Sequence, residues 1–263
     1  MEELSPPVAN REERIRFALE KHHAHVSKIY RPVMTVLVGS QNYGLDMPDS
    51  DFDTCTFVLP NVRDIARMFD PVSIQQEDEL GHIDIKDIRL GLKLLKKTSP
   101  NSVEWFASNY RLAEPEYESL LRIPPVVLRC NTRNMMNAID GMAHQLQNRN
   151  MSPGKRLSHI LRMECMVYNY FSIHSDLLSM TEEERKLAIR AKASPNNPAW
   201  SDECERHASI VHEAVKSVDL DYFAKSECYA YDFLTDLQVK FVVLAMKRDG
   251  LFSQNTRMKG EEP

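Results

Sequence analysis

Every strand-like segment of this 263-residue chain falls in its first ninety residues, and from about residue 126 to 250 only helical periodicity remains. That segregation limits the chain to one small sheet plus a block of helices. Three stretches read as strands: the β-branched apolar run PVMTVLV ahead of Gly39, then FDTCTFVLP at 52–60, then HIDIKDI at 82–88. A helix over 10–29 precedes them, with Asn10 as N-cap, and 61–69 is helix-like. After Ile88, residues 89–110 read as two helices broken at Ser99-Pro100. Segments 139–148, 155–178, 181–193, 201–218 and 231–250 all suit helices. Thr181 with Glu184 makes a capping box, Ser152-Pro153 an N-terminus, and Gly250 a stop. The expectation is an α+β protein: a small mixed-sheet α/β domain over 1–125, an all-helical domain over 126–250, and a disordered tail over 251–263.

Composition narrows the setting. At 43% hydrophobic and 27% charged residues the chain is an ordinary soluble globular one. No apolar run approaches the roughly 20 residues of a membrane span, and the acidic start lacks the form of a signal peptide. Five cysteines, an odd number with no C-x-x-C pair, predict a reducing compartment and so a cytoplasmic location. A net charge of -5 excludes a broadly basic body wrapped on polyphosphate, but not a local basic groove.

The chemistry concentrates in three places. Gly39-Ser40 ends the first strand in a turn where backbone N–H groups and a hydroxyl can approach phosphate. In Asp49-Ser50-Asp51-Phe52-Asp53, Asp51 and Asp53 stand two apart on a predicted strand and share a side. Two adjacent carboxylates repel unless cations lie between them, and such hard oxygen ligands suit Mg²⁺ or Mn²⁺. Asp84, between Ile83 and Ile85, completes a three-carboxylate site if its strand lies adjacent. Asp87 would face the other way, and Asp78 lies outside the apolar run. Two cations so held would clamp the oxygens of a phosphoryl displacement.

GSQNYGLDMPDSDFD, residues 39–53, resembles the signature of the DNA polymerase beta-like nucleotidyltransferase superfamily. Beyond the bare pattern, it is similar to the signature of a group of predicted nucleotidyltransferases borne by phages and bacteria. DIKDIRLGLKLLKKTSPNSVEW, residues 84–105, is similar to that group's third Asp, basic helix and following turn, with Ser99 where Asn is usual. KRLSHILRM, from Lys155, resembles one of its helices. The resemblance covers about residues 33–170. It implies a metal-dependent transfer of a nucleoside monophosphate from an NTP to a hydroxyl acceptor, with release of pyrophosphate. The acceptor stays open between an RNA or tRNA end, a protein and a small molecule. Asp51, Asp53 and Asp84 would hold the metals, and Asp84 would also help deprotonate the attacking hydroxyl. Gly39 and Ser40 would hold the terminal phosphates. The alternative is a non-catalytic nucleotide-binding or antitoxin-like module on the same fold.

Other residues admit two readings. Tyr43 either covers the nucleotide or packs. Lys155, His159 and Arg162, at i, i+4 and i+7, form a cationic stripe on an otherwise apolar helix, facing either an NTP or carboxylates such as Glu164 and Asp176. Lys93 and Lys97 share a helix face that is either solvated or phosphate-facing. Trp105 reads as core, and Glu104 as a partner for a basic residue. His22, His23 and His25 read as a packed or solvated helix. Cys204, His207 and His212 lack the spacing of a zinc site.

Overall fold

A computed structural model describes residues 10–47, 50–172, 176–221 and 224–250. The expected tail over 251–263, the first nine residues and Asp49 lie outside them. The fold is α+β, as expected. The sheet comprises β1 (Pro32–Leu37), β2 (Thr54–Val58), β3 (Ser73–Glu77), β4 (His82–Asp87) and β5 (Arg111–Ala113), in the order β3-β4-β2-β1-β5. β2 and β4 run parallel, with Cys55 opposite Asp84; the other pairs are antiparallel.

Two of these strands carry no clear sequence signal. β3 reads SIQQE, has one apolar residue and is largely exposed; β5 is three residues long. Both are edges, paired on one side, so neither needs the apolar alternation that marks a buried strand.

Helix α1 (Arg11–Ser27) starts at the expected Asn10, whose side chain accepts from the Glu13 amide in a full capping box. It covers one face of the sheet, packing Ile15, Ala18 and Leu19 against Leu37 and Phe52, and Val26 against Val58, Ile83 and Ile85. The buried polar groups between them are matched. His22 bridges Thr54 (2.8 Å) and Asp78 (3.2 Å); His23 bridges Thr35 (3.0 Å) and Glu114 (2.9 Å).

The other face packs on α3 (Ile88–Lys97) and α4 (Pro100–Ala107), which break at Ser99-Pro100 as expected, and on the helices after them. The short α2 (Val62–Ala66) links β2 to β3. The block continues with α5 (Thr132–Asn148), α6 (Pro153–Tyr170), α7 (Glu182–Ala193), α8 (Ala199–Ser217) and α9 (Ala224–Arg248). One apolar cluster runs from Val36 and Phe57 through Met135 and Leu161 to Phe241. Thr181 and Glu184 form the expected capping box on α7. α6 ends at Tyr170, earlier than its periodicity suggests. There the buried Arg129 donates to the carbonyls of Tyr170 (2.6 Å), Ser172 (2.9 Å) and Pro125 (2.8 Å). The partial negative charge of a helix C-terminus suits a guanidinium.

No helix among the described residues is long and apolar enough to cross a membrane. All five cysteines are free, four of them buried.

Candidate active site

β1 leads into a 3-10 turn over Gly39–Tyr43. Gly39 has φ +79°, and a Cβ there would stand 3.1 Å from Asp53 Oδ2. Glycine therefore supplies both the left-handed backbone and the room for the Asp53 carboxylate. The Val38 amide donates to the Asp53 carbonyl (2.9 Å), which ties the turn to the acidic pair.

Asp51 and Asp53 precede β2, which begins at Thr54, rather than lying on it. They keep the shared side that alternation implied, because Phe52 between them is buried while Asp51 is exposed and Asp53 half-buried. The Phe52 amide pairs with the Leu80 carbonyl, so extended backbone continues past the end of the regular ladder. Burial pushes the Asp53 pKa up and the nearby Asp51 adds to the shift; His82, through its charge and its backbone N–H, and Lys155 oppose it. A carboxylate that resists ionisation beside another carboxylate is a site suited to a cation.

Asp84 lies on β4 beside Cys55 of β2. Its Oδ2 is 3.3 Å from Lys86 Nζ, while its Oδ1 is buried and accepts no hydrogen bond. Asp87 caps α3 and pairs with Arg89 (2.6 Å), and Asp78 holds the β3–β4 turn, so both have structural partners. Among the described residues, no three His, Cys, Asp or Glu side chains stand close enough together to hold a metal ion. Asp51 and Asp53 are therefore together, while Asp84 is held by Lys86. The donor chemistry still fits a hard divalent cation: oxygen ligands only, two in mutual repulsion, and one buried oxygen without a partner.

The helical block closes the site with positive charge. Lys155 and Arg162 of α6 and Lys192 of α7 converge around His159. Burial, then Arg162, Lys155, Arg149 and Lys192, push the His159 pKa down to about 3. The imidazole is thus neutral and adds no charge to the expected cationic stripe. Its Nδ1 accepts from Arg162 Nη2 at 3.4 Å. Arg162 lies over the Tyr43 ring, 5.0 Å from its centroid. Tyr43 is buried, so it supports Arg162 and presents no open ring face to a base.

Glu104 of α4 has a role that its sequence position did not reveal. It is buried, and its Oε1 accepts from the Gly39 amide (2.7 Å) and more weakly from Asn42 Nδ2 (3.4 Å). Burial raises its pKa, while the charge of Arg162 and the Gly39 amide pull it down. The Gly39 N–H expected to meet phosphate is therefore engaged, and Glu104 fixes the shape of the turn. Lys192, also missed, donates to Ser40 Oγ at 3.2 Å. Its segment carries no motif, only a lysine beside the buried Ala188 and Ala191. On the opposite side Arg11 bonds Asp46 (2.8 Å) and the Gln41 carbonyl, holding the loop after the turn.

A Gly-Ser turn facing an acidic pair on a mixed sheet, with cations opposite, defines the polymerase beta-like nucleotidyltransferase class. The RlaP family, described as an RNA repair pathway DNA polymerase beta family, matches residues 12–183, and the chain belongs to it. No curated protein matches the chain. A nucleotidyltransferase type of function follows from the family.

Proposed function

We propose that the protein transfers a nucleoside monophosphate from an NTP to a hydroxyl acceptor, with release of pyrophosphate. The observation that carries this reading is the Asp51–Asp53 pair beside the Gly39-Ser40 turn, with Lys155 near Asp53 and Lys192 bonded to Ser40. Asp51 and Asp53, with Asp84 once released from Lys86, would hold Mg²⁺ or Mn²⁺. The metal would neutralise charge on the phosphates and lower the pKa of the attacking hydroxyl. Ser40, Lys155 and Arg162 bind the polyphosphate; Arg suits bidentate contact. Glu104 and Gly39 hold the turn, and Tyr43 and the neutral His159 hold Arg162 in place. Asp84 accepts the proton of the attacking hydroxyl. Among the open acceptors, the family's designation favours an RNA end. A protein or a small molecule has no comparable support.

One observation favours a second reading, a nucleotide-binding module without turnover: the Lys86–Asp84 pair occupies the third carboxylate. Assay of pyrophosphate release from each NTP, with Mg²⁺ or Mn²⁺ and RNA, separates the two readings. Turnover by wild type that is lost in Asp51→Ala/Asp53→Ala supports the enzyme. NTP binding without turnover in wild type supports the module. Neither binding nor turnover refutes both.

A further inference from the structure

Lys192 belongs to α7, nine residues past the end of the family match at residue 183, and its Nζ is nevertheless hydrogen-bonded to the Ser40 hydroxyl at the centre of the site. A second bond goes to the Leu45 carbonyl, so the lysine also grips the far end of the turn. The side chain is half-buried. Burial lowers its pKa, and Arg162 and Lys155 lower it further, against the opposing pull of Asp46 and Asp53.

Three cations from two helices thus lie near one another around His159, with Arg162 and Lys192 half-buried and Lys155 exposed. Among the described residues, none of Lys155, Arg162 and Lys192 forms an ion pair with a carboxylate. By contrast, the partly buried cations Arg11, Lys86 and Arg89 each have an acid partner. Neighbouring cations with no carboxylate at ion-pair distance, drawn only by the more distant Glu104, Asp53 and Asp46, suit a polyanion. Glu104 occupies the Gly39 amide, so the donors left at the turn are the Ser40 hydroxyl and its lysine.

Resting on the nucleotide-binding reading above, we propose that Lys192 is a phosphate-binding residue, which holds the terminal phosphates of the nucleotide against Ser40. It thereby makes the site select triphosphates over monophosphates. Ser40 and Lys192 exchange their mutual bond for bonds to phosphate oxygen, while the Leu45 carbonyl keeps the ammonium in place. Nucleotide therefore links α7 to the sheet.

The test is equilibrium binding of each ribonucleoside triphosphate and its monophosphate, and of inorganic tripolyphosphate, to the full chain. The proteins are wild type, Lys192→Met and Lys192→Arg, each with its melting temperature recorded. Wild type is expected to prefer triphosphate. Lys192→Met should lose tenfold or more in NTP and tripolyphosphate affinity, with monophosphate affinity within twofold, and Lys192→Arg should recover most of the loss. Equal loss for mono- and triphosphate would make Lys192 only a clamp on the turn, and undiminished NTP affinity in Lys192→Met would remove it from the site. Either result overturns the inference and leaves the function standing. Failure of wild type to bind any NTP overturns both.

Discussion

The two faces of the central sheet treat their buried polar groups in opposite ways. Under α1 every polar side chain named has a partner: His22 with Thr54 and Asp78, His23 with Thr35 and Glu114. Beyond the Gly-Ser turn the groups are mismatched. Asp53 is crowded by Asp51, Asp84 has a buried oxygen with no hydrogen bond, and three cations converge without an ion pair among the described residues. A satisfied network contributes to stability, whereas a mismatched one lowers it and persists where a ligand completes it. The contrast separates a face whose polar groups are all matched from one that joins the main apolar core to the candidate site.

The largest expected effect lies on the mismatched side. Asp53→Asn should lower pyrophosphate release by roughly 10²–10⁴-fold, in line with loss of charge at a phosphoryl-transfer centre. A loss below tenfold would place the chemistry elsewhere.

A comparable effect on stability belongs to a satisfied group within the helical block. Arg129→Leu removes the group that meets the carbonyls of Tyr170, Ser172 and Pro125. Denaturant unfolding should show a loss of about 3 kcal/mol or more, as for other buried polar groups stripped of a partner. A loss under 1 kcal/mol would show that water replaces the guanidinium.

His159 gives the contrast a pH dependence. Its folded pKa of about 3 lies below the ordinary value of 6.5, so the unfolded chain binds the extra proton between them. This group's contribution to stability is constant above pH 6.5 and is lost as pH falls from 6.5 toward 3. The loss amounts to at most roughly 5 kcal/mol. His159→Asn should flatten that part of the stability–pH curve; an unchanged slope would assign it to other groups.

His22→Leu is a smaller perturbation. It leaves Thr54 and Asp78 short of a partner and should cost about 1–3 kcal/mol, with little change in activity. An activity loss larger than the stability loss explains would mean that the α1 face also serves the reaction.

Much of this was legible in the sequence, for identifiable reasons. The buried strands β1, β2 and β4 carry apolar or alternating patterns, and the capping residues Asn10 and Thr181 sit where helices begin. Strands β3 and β5 were not legible, because an edge strand is held by backbone pairing more than by its side chains. In the candidate site, the spacing of Asp51 and Asp53 already implied the shared side that the two carboxylates keep. Sequence could not show that Lys86 pairs with Asp84, that Glu104 takes the Gly39 amide, or that Lys192 reaches Ser40. The last two join residues 65 and 152 positions apart. The charge of His159 was misleading for the same reason: only the fold gathers the cations that suppress it.

The most direct test of the contrast measures stability and activity on one variant. The folded-state pKa of Asp53 is raised, so its ionised form weakens the metal-free fold as pH rises through the carboxylate range. In chelator at neutral pH, Asp53→Asn should melt above wild type, while pyrophosphate release with Mg²⁺ or Mn²⁺ collapses. A variant that melts below wild type and keeps its activity would contradict the account.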